Sequence, residues 1–173
     1  SLAHGVVSEE AIILLKSAVQ RLTLLADLIV IPCNTVHVHL DELRGCTSVP
    51  IMSIIEETAE ECRKQGVKRV GILSSTMTVR EKLYQRELER RAIELLSPDT
   101  GDQDFISDCI IKIIGNQLEE REKKQMLLVI DKMRKQGAEA VILGCTDLFF
   151  VITPEESSLP LINSTAVLEN SVV

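Results

Sequence analysis

Two hydrophobic patterns alternate along the chain. Short, mainly apolar runs fall at residues 28–31, 49–54, 67–75, 93–98, 140–143 and 159–162. Bounded by proline, glycine or polar residues, such runs read as buried strands. Between them, apolar residues recur at the spacing of a helix face. Ser8 is a good N-cap for a helix over 9–27, and Asn34 or Thr35 can cap a short one ending at Leu43. A helix over 55–66 has acids in its first turns, bases in its last and Gly66 as a stop. Further helical patterns cover 78–92, 105–114 and 119–136, the last stopped by Gly137, and a final helix starts at Ser164. The stretch "SPDTGDQD" reads as a turn.

Strands alternating with helices predict an α/β fold of parallel sheets with helical cover. The ligand crevice of such sheets lies beyond the carboxyl ends of the strands. Cys33, Ser74, Ser75, Thr76, Thr78 and Cys145 all fall there. A fresh unit begins at Val67. The residues before it start with a helix and hold only two strands, which would leave a sheet edge and an apolar face open. The expectation is that strands upstream of Ser1 complete this lobe in the intact protein.

Composition narrows the function classes. Hydrophobic residues at 45% and charged residues at 26% are those of a globular soluble protein. A net charge of −7, no basic run and 2% aromatics argue against nucleic-acid binding, while a small anion can still be held locally. No apolar run is long enough to span a membrane, and the start has no signal-peptide pattern. Five widely spread cysteines, an odd number, favour free thiols in a reducing cytoplasm.

The chemistry lies in a repeat. "ADLIVIPCNT" and "AEAVILGCTD" each carry an acid, an apolar strand, a turn residue (Pro32 or Gly144), a cysteine and hydrogen-bonding side chains. A thiol at a helix start has its thiolate favoured by the dipole and free N–H groups, so lowered pKa values are expected for Cys33 and Cys145. Two thiols on opposite sides of one carbon suit inversion by proton transfer: one removes the α-proton and the other returns a proton to the opposite face. Asn34, Thr35 and Thr146 supply donors beside them. A single nucleophilic cysteine would not need the motif twice. Cys46, Cys62 and Cys109 read as packing or simple exposure. His37 and His39, two residues apart on a helix, point in diverging directions, and no compact Cys-x-x-Cys pair exists, so no metal is expected.

"PCNT" with His37, and "LGCTDL" in the second half, resemble the aspartate/glutamate racemase family, most closely its aspartate racemase-like branch. "VGILSSTMT" with Tyr84 is similar to that family's opening of the second lobe, and "LPLINST" to its crossover back to the first. The resemblance implies two similar lobes about a pseudo-two-fold axis: residues 1–66 with 159–173, and residues 67–158. It implies cofactor-independent racemisation of an acidic amino acid, aspartate before glutamate, in a homodimer. Cys33 and Cys145 would be the bases, with Asn34, Thr35, Ser75, Thr78, Thr146 and Asp147 around the substrate and His37 a candidate to face the cleft. The chain departs from the family's pattern in lacking its glycine-rich opening strand. It has Asp147 where the aspartate branch has Glu and glutamate racemases have His, and Asn163 where many relatives have Asp. Lys112 and Ile113 stand near the place where many aspartate racemases carry a lysine for the distal carboxylate. Hydantoin racemases and maleate isomerases share the superfamily, and a binding protein that keeps the cleft without turnover is the non-enzymatic alternative.

Overall fold

A computed structural model describes residues 8–172. The first helix, α1 (Glu9–Leu22), starts where the Ser8 hydroxyl accepts from the Ala11 N–H. It ends at Leu22, short of residue 27, and the Thr23 hydroxyl just beyond lies 2.9 Å from the Val19 carbonyl and 2.6 Å from Thr47 Oγ1. Strand β1 (Ile29–Val30) leads through Cys33 into a 3₁₀ turn (Thr35–His39) and helix α2 (Leu40–Arg44). Strand β2 (Ile51–Met52) is shorter than its apolar run, since Ser53 caps helix α3 (Ile54–Lys64) at once. Gly66 takes the left-handed conformation, φ +75°, that lets the chain leave α3.

The second half supplies β3 (Arg69–Ser74), α4 (Thr76–Arg80), α5 (Leu83–Glu89), β4 (Glu94–Leu96), α6 (Thr100–Ile114) and α7 (Glu120–Lys135). It ends with β5 (Ala140–Gly144), β6 (Leu161–Asn163) and α8 (Ser164–Ser171). The helix predicted over 78–92 is two helices, broken at Lys82 with φ 55°. Thr78 is thereby held at the strand end while Tyr84 and Leu88 turn onto the sheet. Helix α6 starts earlier than its apolar spacing suggests, because Asp99 Oδ1 caps the Asp102 N–H at 2.9 Å.

Among the described residues all strand pairing is parallel, in two sheets: β1-β2 and β4-β3-β5-β6. Alternate residues of β5 serve opposite faces of the larger sheet. Ala140 and Ile142 pack with α3, α5 and α8, and Val141 and Leu143 with α6 and α7. A smaller cluster of Val19, Ile29, Val36, Leu43 and Ile51 lies at the two-stranded sheet. Around that sheet Leu14, Leu24, Leu25 and Val30 are exposed.

The end of the chain meets the lobe grouping unevenly. Strand β6, grouped with residues 1–66 by the sequence, hydrogen-bonds β5 in the four-stranded sheet (Ile142 opposite Ile162), and Ile54, Ala59 and Cys62 of α3 join that sheet's core.

Cys62 and Cys109 are fully buried, and burial pushes their thiols up from 9.0 to about 12 and about 11. In the unfolded chain both ionise first, so the native state binds more protons through this window. Stability therefore falls as pH rises from about 9 to about 12. Urea unfolding of the reduced protein is expected to show its midpoint dropping between pH 8 and 10.5, with a shallower drop in Cys62→Ala. An equal slope in that variant would contradict the assignment.

Candidate active site

Both halves of the repeat end in the same place, just past the carboxyl ends of parallel strands. Cys33 follows β1 through Ile31 and Pro32, with its N–H bonded to the Ile31 carbonyl at 2.8 Å. Cys145 is the first residue after β5. Gly144 before it is a strand residue opposite Ser74, not a turn residue. A Cβ there would come 2.9 Å from Ser74 Cβ, so glycine is what lets β5 reach this close to β3. Both thiols are half-buried.

Side chains tie the two segments together. Tyr84 Oη donates to Asn34 Oδ1 at 2.6 Å, Asn34 Nδ2 donates to Ser164 Oγ at 3.2 Å, and Ser164 Oγ donates to the Leu143 carbonyl at 2.8 Å. The residue after Cys33 is thus cross-braced to the strand that presents Cys145. A second set of hydroxyls joins the Cys33 loop to β3. Thr35 Oγ1 lies 2.9 Å from Ser75 Oγ, which lies 3.1 Å from Thr78 Oγ1. Asn34, Thr35, Ser75 and Thr78 are all buried, whereas Thr146 and Asp147 are half-buried beside Cys145. Asn34 is therefore a brace whose amide oxygen and nitrogen are already engaged.

His37 is buried and does not stand free at the cleft. Its Nδ1 lies 2.9 Å from the Cys33 carbonyl, and Nε2 accepts the Ile54 N–H at 3.3 Å. That pairing fixes the tautomer with the proton on Nδ1. Burial, and then the charge of Arg44, hold its pKa below the ordinary value against the opposing Cys33 carbonyl. His37 connects the Cys33 loop to the start of α3.

The thiolate expected from helix starts is not what surrounds Cys145. Only a three-residue 3₁₀ turn (Leu148–Phe150) follows, with Asp147 in between. Burial, with the Asp147 carboxylate and Cys33 adding to it against the Asp147 backbone N–H, pushes the Cys145 thiol up to about 12. Its Sγ is 3.6 Å from Asp147 Oδ2 and donates to it. Cys145 is a proton-bearing thiol.

Sequence reasoning missed Ser164 and the bracing part of Tyr84. A lone tyrosine on an otherwise aromatic-poor chain was the available signal. Tyr84→Phe leaves Asn34 Oδ1 buried without its donor and is expected to cost about 1–3 kcal/mol. Chemical denaturation measures it, and a change under 0.5 kcal/mol would mean that the brace contributes nothing.

A family model described as Asp/Glu/Hydantoin racemase matches residues 4–171. The chain belongs to that family. It is 31% identical over 147 residues to the broad specificity amino-acid racemase RacX of Bacillus subtilis, covering 85% of this chain and 63% of that protein. An aspartate racemase homologue from Pyrococcus horikoshii superposes with a TM-score of 0.81 at 27% identity, covering 95% of this chain and 73% of that one. The Picrophilus torridus aspartate racemase shares the fold at TM-score 0.79 and 23% identity, over 95% and 71% of the two chains. The chain spans 63% of the Bacillus relative's length and 46% of a glutamate racemase from Aquifex aeolicus that it also matches.

Proposed function

We propose that the full-length protein racemises a free amino acid by two-base proton transfer between Cys33 and Cys145. The observation that carries this is the placement of both half-buried thiols at parallel strand ends, with the Cys33 loop tied to the Cys145 strand through Asn34 and Ser164. Cys145 starts as the donor, since burial and Asp147 keep its proton on. Cys33 acts as the base, and the α-proton passes to its sulfur. Cys145 then gives its proton to the opposite face of the carbanion, leaving a Cys145 thiolate, and the reverse reaction runs the same steps backwards. Thr35, Ser75, Thr78 and Thr146 supply hydroxyls for the substrate carboxylate, whose extra charge in the transition state they would stabilise. Asp147 accepts a hydrogen bond from the resting Cys145 thiol.

Family resemblance favours an acidic amino acid, aspartate first, in a homodimeric enzyme that light scattering would check. The deciding experiment incubates full-length protein with single L-amino acids, aspartate and glutamate included, in D2O. The D-enantiomer and α-deuteration are expected to appear together. Binding without exchange would instead favour a non-catalytic amino-acid-binding protein.

A further inference from the structure

Gln103 falls in the stretch that reads as a turn, yet it lies near the start of α6, where its N–H bonds the carbonyl of the cap residue Asp99 at 2.8 Å. Its side chain reaches the end of β3. Nε2 donates to the Ser74 carbonyl at 2.9 Å and to Ser107 Oγ at 3.2 Å. Ser107 is one turn further along the same face of α6, and its Oγ lies 2.7 Å from Thr76 Oγ1. Ser74, Gln103 and Ser107 are all buried. Gln103 Oε1 is buried too and has no donor among the described residues, so it is the donor half of the amide that is used. The helix that carries these groups is itself held in place. Ile106 and Ile110 lie in the core beneath it, and Asp102 pairs with Lys132 of α7 at 2.7 Å.

We propose that Gln103 is a positioning residue for the racemisation: with Ser107 it fixes, from α6, the turn that presents the Ser75 and Thr78 hydroxyls to the substrate carboxylate. This role rests on the racemase reading above. A peptide unit is planar, so a donor on the Ser74 carbonyl sets the plane from which Ser75 leaves the strand. Ser107 holds Thr76 on the other side. Ser75 is thereby gripped before and after, with its hydroxyl 2.9 Å from Thr35 Oγ1 and 3.1 Å from Thr78 Oγ1. Its side chain also caps α4 by accepting the Thr78 N–H, so a shift of Ser75 carries Thr78 with it. Hydroxyl hydrogen bonds span only about 2.5–3.0 Å, and a small shift of this turn therefore weakens the hold on a carboxylate. Gln103 acts through Ser74 and Ser75.

Steady-state racemisation of L-aspartate and L-glutamate by the full-length protein tests this in Gln103→Met, which keeps the length of the side chain and removes the donor. KM is expected to rise about tenfold while kcat falls less, because the thiols keep their places. A tie that serves stability alone would lower the unfolding midpoint and leave the KM of the folded variant as it was. That result overturns the proposal, as does a kcat that falls more than KM rises. Ser107→Ala is the milder change and carries the test should Gln103→Met not fold. Its KM is expected to rise about threefold, and an unchanged KM overturns the proposal. Calorimetric titration of the same proteins with the same two amino acids separates this role from the racemase reading. If the wild-type protein binds one of them without racemising it, that reading fails. Weaker binding by the variants then still supports the positioning role, and equal binding overturns it. A wild-type protein that binds neither overturns it as well.

Discussion

Replacing Cys145 with alanine in the full-length protein is expected to abolish inversion of both enantiomers while leaving α-proton washout from one of them. Cys33→Ala should do the same for the opposite enantiomer. One thiol can remove a proton from its own face and return a solvent-derived one there, which exchanges hydrogen without inverting carbon. Inversion needs a donor on each side, so losing either thiol removes the whole of the second step. General acid–base groups contribute about 10²–10⁴-fold, and the drop in racemisation should be at least that large. Chiral chromatography reads inversion, and proton NMR in D2O reads exchange. Normal inversion in either variant would end the two-base mechanism. Washout of the same enantiomer in both would mean that the thiols do not flank the α-carbon.

His37→Phe is the second large effect. The ring is buried, and its two nitrogens serve the Cys33 carbonyl and the Ile54 N–H. Phenylalanine fills the space but leaves both backbone groups without partners, at about 1–3 kcal/mol each. His37→Gln offers one donor and one acceptor and should recover part of the loss. Because the change acts through the position of Cys33, kcat is expected to fall more than KM rises. The pH dependence separates this from a simple packing defect. The folded pKa of His37 lies below its unfolded value, so the unfolded state binds the extra proton as pH falls beneath about 6.5. Stability held above that pH is lost as pH falls through the folded value, and this slope should be weaker in His37→Phe. An identical acid slope in the two proteins would mean that the imidazole does not titrate on unfolding.

Much of the fold was legible because periodicity is local. The apolar run at β5 and the capped spacing of α7 identify themselves, and Gly66 and Gly137, with φ of +75° and +94°, end their helices as their positions suggest. The breaks were not legible. Nothing short-range marks Lys82 as left-handed, since that break serves Tyr84 and Leu88 in reaching a sheet. Nor does "LGC" say why its glycine is there, because the answer is Ser74 on a neighbouring strand. The same limit applied to the site. The repeat identified both thiols, yet His37 and Asn34 read as cleft residues when their polar atoms are engaged within the protein.

The sequence by itself determined the α/β class, the membership of a racemase family and the two cysteines at strand ends. These depend on residue type and spacing along one stretch of chain. Only the tertiary structure decided that Cys145 carries its proton and that Asn34 braces the two motifs. Those properties arise from burial and from charges brought together across long sequence separations, as between Asn34 and Ser164. A linear pattern records which groups are present but not which of them have been taken out of water side by side.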